Sequence, residues 1–450
     1  MTVAETEKRQ ESVDHFASLK SAIENRTAVI GIIGLGYVGL PLALRFAESG
    51  FRVLGFDIDP EKPRMLARGE SYIKHIGHDG VAAAFGGGRA GATSDFSRLA
   101  ECDAILICVP TPLGRHREPD LKYIRITAEQ IATTIRPGQV VILESTTYPG
   151  TTREEVLPRL EGSGLKAGHD FFLAFSPERE DPGNPRFNTR TIPKLVGGID
   201  EASLDVAAAV YGVAIDTVIR VSSPEIAEAA KLFENIFRSV NIALANEMKV
   251  VLDRLGIDVW EVIEAAKTKP FGFMPFYPGP GLGGHCIPLD PFYLTWKAAE
   301  HGMWARFIEL AGEINTSMPR YVVEKTMLAL NEDGKSIRGA KVLVLGLSYK
   351  ANIDDDRESP SFAIIDLLRE RGALVSYCDP HIPLAKKTRK HDTGMDSVPC
   401  NADEFARYDA VIVSTAHDAF LDRSLYRNVS LVIDTRNIVS ASGTCRVVRA

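Results

Sequence analysis

Short apolar runs separated by amphipathic stretches dominate the first part of the chain. VIGII at 29–33 predicts a buried strand; it is followed by GLGYVG and then by LPLALRFAESG, whose apolar positions recur at helical spacing and whose final Gly suits a helix C-terminus. RVLGFDID predicts a second strand, and AILICV (104–109), QVVILES (139–145) and FFLAFS (171–176) predict three more, with helical or loop material between them. Strand and helix alternating in this way predict a parallel sheet covered by helices.

The pattern changes at Ser222. From there to Ile257 one helical period continues, with Ser223 placed to cap it and Pro224 in its first turn. A helix of that length is a rod of about 50 Å. Helical pattern resumes from Pro291 to Leu330, and the polar stretch NEDGKSIRGAK (331–341) predicts a linker. A second α/β pattern follows: strand KVLVLG (341–346), helix SPSFAIIDLLRERG (359–372), then strands ALVSYCDP, DAVIVST (409–415) and LVIDTR (431–436). RVLGFDIDP echoes ALVSYCDP, and ECDAILICVPTP echoes RYDAVIVSTAHD. The predicted fold is therefore α/β, with two Rossmann-like doubly wound domains joined by a central helical domain with one long helix. The expected boundaries are an N-terminal extension at 1–27, then domains at 28–221, 222–330 and 331–450.

Composition narrows the class. A chain of 450 residues with 45% hydrophobic content can build several cores, and 52 basic against 59 acidic side chains give a net charge of −7. That balance gives no broad attraction to nucleic acid, and the one basic cluster, KKTRK at 386–390, suits a solvated loop. No apolar run approaches the ~20 residues of a membrane span, and the opening MTVAETEKRQESVDHF lacks a signal-peptide pattern, which predicts a cytoplasmic protein without membrane partners. Six cysteines (102, 108, 286, 378, 400 and 445) without a CxxC pair suggest neither a disulfide framework nor a structural metal site. Cys102, Cys108 and Cys378 lie at predicted strands and suit burial.

Gly34, Gly36 and Gly39 form a GxGxxG turn between a strand and a helix. The first glycine permits the tight turn, the second lets the backbone approach a pyrophosphate, and the third lets helix meet strand. Phosphates would lie at the helix N-terminus. Asp57 ends the next strand, placed to accept hydrogen bonds from ribose hydroxyls, which favours NAD over NADP, with Arg64 nearby as a countervailing cation. The corresponding turn of the second α/β domain, GLSYK, lacks the later glycines and should not hold a dinucleotide in the same way.

PGPGLGGHCIPLDP (278–291) sets Cys286 in a loop too rich in Gly and Pro for helix or strand. Adjacent His285 and Cys286 rarely chelate one ion, and no nearby side chain completes a metal set. A nucleophilic thiol with Asp290 four residues on, able to orient water or accept a proton, suits the segment better than a buried spacer. On the long helix Lys231, Asn235 and Arg238 line one face. Such a stripe also suits a solvated surface, but a Lys and an Asn side by side can stabilise a developing oxyanion. Thr146 in ESTTYPG and Glu178 in SPERED follow strand ends, where open α/β sheets bind their ligands.

Taken together, GLGYVGLPLA, CVPTP, ESTTYPGTT, SPERED, AKLFEN, GGHCIPLDP and SYKANIDDDRESP resemble, in order, the motifs of the nucleotide-sugar 6-dehydrogenases, the UDP-glucose/GDP-mannose dehydrogenase family. SPEREDPGN, TKPFGF and the glycine loop most resemble its bacterial UDP-N-acetylglucosamine 6-dehydrogenase branch. The resemblance implies a four-electron oxidation of the sugar C6 hydroxymethyl to a carboxylate with two NAD per turnover, feeding surface polysaccharide synthesis. It implies that Cys286 is the nucleophile and that Lys231 and Asn235 stabilise alkoxide and oxyanion charge. It further implies that Asp290 and Thr146 handle the proton and water, and that Glu178 acts in thioester turnover; the base for the alcohol is left between Asp290 and Glu178. Cofactor contacts would come from Gly34, Gly36, Tyr37, Val38, Gly39, Asp57, Arg64, Thr111 and Thr146. The UDP-sugar would meet Glu178, Lys231, Asn235, Arg238, Tyr277, Gly279 and Gly283, and its UDP moiety would meet Lys350, Arg357 and Arg436 of the last domain. At least a homodimer is implied.

Relatives acting on UDP-glucose carry an arginine before the glycine loop and a lysine just before the aspartate, whereas this chain reads TKPFGFMPFYPGP and Leu289. Phe271, Phe273, Phe276 and Tyr277 could there accommodate an N-acetyl group or simply pack. Two other readings compete: a two-electron β-hydroxyacid dehydrogenase, which needs neither the cysteine nor a second nucleotide domain, and a nucleotide-sugar binding or regulatory protein.

Overall fold

The structure, a computed structural model, describes residues 14–73, 76–114, 118–179, 186–284, 287–385, 391, 394–440 and 445–450. His285, Cys286 and the basic run at 386–390 lie outside the described residues. The chain forms two compact units, Met1–Phe233 and Glu234–Ala450.

The first unit runs through α1 (His15–Glu24), β1 (Val29–Ile33), α2 (Gly39–Glu48), β2 (Arg52–Phe56), α3 (Glu61–Ala67), α4 (His78–Val81), β3 (Ala90–Thr93), β4 (Ala104–Ile107), α5 (Lys122–Ala132), β5 (Val140–Leu143), α6 (Leu157–Glu161), β6 (Phe172–Phe175), β7 (Lys194–Gly198), α7 (Glu201–Gly212) and β8 (Val218–Val221). Its strands form one sheet in the order β3-β2-β1-β4-β5-β6-β7-β8. Strands β1, β4, β5 and β6 are Val, Ile, Leu and Phe runs buried almost throughout, as a sheet covered on both faces requires. The order reverses at β1, so the loops after β1 and β4 part to opposite sides and leave a crevice at the strand ends.

Three features depart from the sequence expectation. Strands β3, β7 and β8 were not predicted, because AGAT, KLVGG and VIRV are short and interrupted by glycine or arginine. The sheet is not wholly parallel, since β7 runs antiparallel to β6, pairing Ala174 with Gly198 and Phe175 with Gly197. Helix α1 falls within the expected N-terminal extension yet buries Leu19 and Ile23 in the core of the first sheet.

Helix α8 (Pro224–Arg254) is a single 31-residue helix that begins in the first unit and continues into the second. It stops short of Ile257 because Gly256 adopts φ 72°, which lets the Ile257 N–H return to the Leu252 carbonyl at 2.9 Å. The second unit continues through α9 (Val259–Ala266), α10 (Asp290–Glu300), α11 (Arg306–Glu332), β9 (Lys341–Leu345), α12 (Pro360–Glu370), β10 (Leu374–Cys378), β11 (Leu384–Ala385), β12 (Met395–Asp396), α13 (Ala402–Phe405), β13 (Ala410–Val413), β14 (Leu431–Asp434) and β15 (Arg446–Arg449). A parallel sheet in the order β10-β9-β13-β14-β15 forms its second α/β domain. The architecture is thus α/β, with two Rossmann-like domains and helical material between them in the chain.

Candidate active site

In the first domain the three glycines of GLGYVG are distinguished by what surrounds them. Gly34 has φ 93°, and a Cβ there would lie 2.5 Å from the Cys108 carbonyl oxygen. A Cβ on Gly39 would lie 1.9 Å from the Gly34 carbonyl oxygen, so no other residue lets α2 start so close to β1. A Cβ on Gly36 would meet nothing within 4 Å among the described residues. The turn is closed by protein on two sides and open at the middle glycine, as a backbone approached by a pyrophosphate requires. Tyr37 and Val38, both half-buried, complete the turn, and Thr111 is buried in the loop after β4, across the crevice.

Asp57 closes β2 as expected. Its carboxylate accepts from Leu35 N (3.0 Å) in the glycine turn and from Asp59 N (3.0 Å), and Lys62 Nζ lies 2.8 Å away. The cation at Asp57 is therefore Lys62 and not Arg64, which is exposed and pairs with Glu61 at 3.5 Å. About half a turn of α3 makes the difference, since position 62 faces the sheet end and position 64 faces away.

The loop after β5 carries Thr146, half-buried, and is tied to α8 by a residue that sequence reasoning missed. Glu228 accepts from Gly150 N (2.6 Å), Thr152 N (2.9 Å) and Thr152 Oγ1 (2.7 Å). Burial pushes the Glu228 carboxyl up to about 7 against the pull of those donors. One turn further along α8, Lys231 is buried and its ammonium donates to the main-chain carbonyl of Glu178. The Glu178 carboxylate in turn lies 3.7 Å from Lys194 Nζ. Lys231 thus fixes the segment that carries Glu178.

In the second unit Asn235 donates from Nδ2 to Asp290 Oδ2 at 2.6 Å. Asp290 is buried at the start of α10. Arg238 is exposed on α8. Tyr277 stacks on Trp260 with ring centroids 5.7 Å apart and donates to Glu264 at 2.8 Å, while Phe276 packs edge-on against Phe237.

The glycine loop before position 285 is packed rather than open. A Cβ on Gly279 would lie 2.6 Å from Arg436 Nη1, and one on Gly283 would lie 2.5 Å from Tyr349 Cβ. Gly284 N donates to the Arg357 carbonyl at 3.0 Å. The clearance these glycines give is occupied by the second α/β domain itself, which brings Gly279, Gly283, Arg357 and Arg436 together. Arg436 is held by the Ser414 carbonyl at 2.7 Å, and burial lowers its guanidinium to about 10 while Asp434 opposes the shift. Arg357 grips Asp355 with Nε and Nη2 at 2.6–3.0 Å. Lys350 sits in the loop after β9, at the point where this sheet reverses order.

Cys102, Cys108, Cys378 and Cys445 are buried, and Cys400 is exposed. No helix among the described residues is long and apolar enough to cross a membrane.

Three family models match successive parts of the chain: the NAD binding domain of the UDP-glucose/GDP-mannose dehydrogenase family at residues 28–215, its central domain at 225–317 and its UDP binding domain at 343–441. The chain is 36% identical to Protein CapL of Staphylococcus aureus over 92% of this chain and 96% of that protein. It is 35% identical to the UDP-N-acetyl-D-glucosamine 6-dehydrogenase of Pseudomonas aeruginosa over 87% of this chain and 91% of that protein. The solved structure of the UDP-D-ManNAc dehydrogenase of Pyrococcus horikoshii superposes with a TM-score of 0.84 at 31% identity, covering 93% of this chain and 98% of that one. An open dinucleotide turn, a carboxylate at the ribose position and a matched UDP binding domain agree with these likenesses, and the chain belongs to the UDP-glucose/GDP-mannose dehydrogenase family of NAD-dependent UDP-sugar dehydrogenases.

Proposed function

We propose that this enzyme oxidises C6 of a UDP-N-acetylhexosamine, UDP-N-acetylglucosamine in the first instance, to the uronic acid. The observation that carries the choice of sugar is the 35% identity to the Pseudomonas aeruginosa UDP-N-acetyl-D-glucosamine 6-dehydrogenase over 87% of this chain. Leu289, standing where relatives acting on UDP-glucose carry lysine, supports it. The balanced reaction is RCH2OH + 2 NAD⁺ + H2O → RCOO⁻ + 2 NADH + 3 H⁺, in which bound NAD supplies the hydride acceptor at each oxidation.

Cys286 adds as thiolate to the intermediate aldehyde, and the thiohemiacetal so formed loses the second hydride to become a thioester. Water then cleaves the thioester and frees the thiol. Lys231 and Asn235 offer donors to the oxygen that gains negative charge. Asp290, held by Asn235, exchanges protons with the thiol and water together with Thr146, and Glu178 serves thioester turnover. The tyrosine-bearing loop at 271–277 meets the N-acetyl group, and Lys350, Arg357 and Arg436 meet the UDP. Asp57 selects NAD against NADP, because a 2′-phosphate would meet its carboxylate.

The enzyme works in the cytoplasm as a homodimer or a higher homo-oligomer. Phe237, Leu244, Met248, Val251 and Leu255 form an exposed apolar stripe along α8, which supports pairing with a second copy. The product feeds surface polysaccharide synthesis.

The deciding measurement is NADH yield and initial rate over UDP-N-acetylglucosamine, UDP-N-acetylmannosamine, UDP-N-acetylgalactosamine and UDP-glucose. Two NADH per sugar with UDP-N-acetylglucosamine fastest is expected. The resemblance to the Pyrococcus horikoshii UDP-D-ManNAc dehydrogenase favours UDP-N-acetylmannosamine as the second reading, and a faster rate there would replace the first. One NADH per sugar, or a fully active Cys286→Ser variant, would overturn the four-electron mechanism.

A further inference from the structure

The first sheet contains a buried charge cluster that the reaction as described does not use. Lys194, the first residue of β7, places Nζ 2.6 Å from Glu144 Oε2, and both side chains are almost wholly buried. Tyr211 of α7, fully buried, donates its hydroxyl to the other oxygen of Glu144. The same Lys194 ammonium reaches Glu178 Oε2 at 3.7 Å.

The location follows from the single antiparallel pairing of the sheet. In a parallel strand the first residue lies at the edge opposite the ligand crevice. Because β7 runs against β6, its first residue arrives at the edge where β4, β5 and β6 end, between Glu144 and Glu178. A buried ion pair of this kind is a weak source of stability, since well-packed apolar side chains of similar volume often do as well. Its position at the edge of the site therefore points to a role beyond packing.

We propose that Lys194 is a positioning residue for the reaction, presenting a fixed positive charge that orients the Glu178 carboxylate, with Glu144 and Tyr211 anchoring Lys194 from beneath. This rests on the reading of Glu178 as a participant in thioester turnover. Burial alone would drive the Lys194 ammonium toward its neutral form, but Glu144 and Glu178 outweigh it and raise its pKa, so the charge is permanent at working pH. Among the described residues, the charged and titratable groups facing Glu178 from the surrounding elements are Lys194 on β7, Glu144 after β5, the Cys108 thiol after β4 and Lys231 on α8, whose ammonium donates to the Glu178 main-chain carbonyl.

The test uses the full-length enzyme and the pH dependence of kcat. Lys194→Met alone would leave the Glu144 carboxylate buried without its cation and could fail to fold, so the informative variant is Glu144→Gln with Lys194→Met, which removes both charges together. We expect it to fold and to shift the acidic limb of the profile upward by about one pH unit or more, because a carboxylate that loses a cation within ~4 Å protonates more readily. Glu144→Gln alone should shift the limb the other way, since Lys194 is then no longer shared. A purely structural role predicts lower activity with no opposed shifts. Unmoved limbs in both variants, alongside a Glu178→Gln variant that is strongly impaired, overturn the role of Lys194 and leave that of Glu178 intact. An unimpaired Glu178→Gln variant overturns the role of Glu178, and the proposal with it.

Discussion

The two α/β domains repeat one backbone in hydrogen-bond detail and put it to different uses. Val29 pairs with Arg52 in the first sheet as Lys341 pairs with Leu374 in the second, and Ile30 meets Ala104 as Val342 meets Ala410. Val29 N donates to Asp103 Oδ2 at 2.8 Å, and Lys341 N donates to Asp409 Oδ2 at 2.8 Å. Gly34 N reaches Phe56 O at 2.8 Å, and Gly346 N reaches Cys378 O at 2.8 Å. Each domain also ends its second strand on an aspartate, Asp57 or Asp379, whose carboxylate takes a backbone N–H from the first turn, Leu35 at 3.0 Å or Leu347 at 2.7 Å.

The difference lies in what else each aspartate does. Asp57 keeps an exchangeable partner, the partly exposed Lys62. Asp379 also accepts from Ser348, His381 and Ile382 N–H groups at 2.7–3.0 Å and faces the fully buried His417 at 3.2 Å. Its hydrogen-bonding capacity is consumed by the chain, leaving little for a ribose. The helix geometry agrees: α2 begins at Gly39, directly after its glycine turn, whereas α12 begins only at Pro360, well beyond Gly346. A shared fold thus becomes a dinucleotide site in one copy through an open glycine and an unsaturated carboxylate, and loses that capacity in the other.

The largest expected effect that tests this contrast comes from Asp379→Ala, which strands several buried donors and should cost about 3–5 kcal/mol by denaturant unfolding. It should leave NAD affinity of the surviving folded protein near wild type. Asp57→Ala should do the reverse, raising KM for NAD tenfold or more with a smaller stability loss. Equal effects in both would erase the distinction.

Next in size is the anchoring of the loop that follows β5 in the first domain and β14, its counterpart, in the second. In the second domain Asp434 holds its own loop, accepting from Arg436 N and Val439 N at 2.8–2.9 Å. In the first the anchor is Glu228 on α8. Its pKa, pushed up to about 7 from an ordinary 4.5, means that the folded form favours the protonated carboxyl. That contribution is complete below about pH 4.5 and is lost as pH rises to about 7, an effect of about 3 kcal/mol. Calorimetric melting of the wild type should show this loss between about pH 4.5 and 7, and Glu228→Gln should remove it.

A third comparison sets Gly346 against Gly36. Gly346 has φ 87°, and a Cβ there would lie 2.4 Å from Thr415 Cβ, so Gly346→Ala should destabilise by about 2–3 kcal/mol without touching cofactor affinity. Gly36→Val should melt like the wild type, with NAD binding weakened tenfold or more by titration. The smallest effect is expected of Arg64→Ala: an exposed residue whose ion pair among the described residues is with Glu61 should shift stability by less than about 0.5 kcal/mol and KM for NAD by less than twofold.

Much of this was legible in the sequence. Runs such as VIGII and VVIL can be little but buried strands, and Gly34, Gly36, Gly39 and Asp57 announce a dinucleotide turn because the ligand constrains neighbouring positions. The repeat of one domain in the other was visible in ECDAILICV and RYDAVIVST. Strand β7 was not legible, because KLVGG is too short and too glycine-rich to carry a period. Glu228 and Lys194 were hidden for a different reason. A glutamate on a long helix and a lysine heading an apolar run look like solvated residues until their partners, Thr152 and Glu144, are brought to them from far along the chain.

The sequence by itself determined the longer strands and helices, the family, the cofactor turn and the helix that carries Lys231 and Asn235, because these depend on residues close together in the chain. Only the tertiary structure decided which cation meets Asp57, that the room left by Gly279 and Gly283 is filled by Arg436 and Tyr349, and that an antiparallel strand delivers Lys194 to the edge of the site. Those outcomes depend on pairings between distant segments, and the energy of a buried charge is set by the partner that reaches it rather than by its neighbours in sequence.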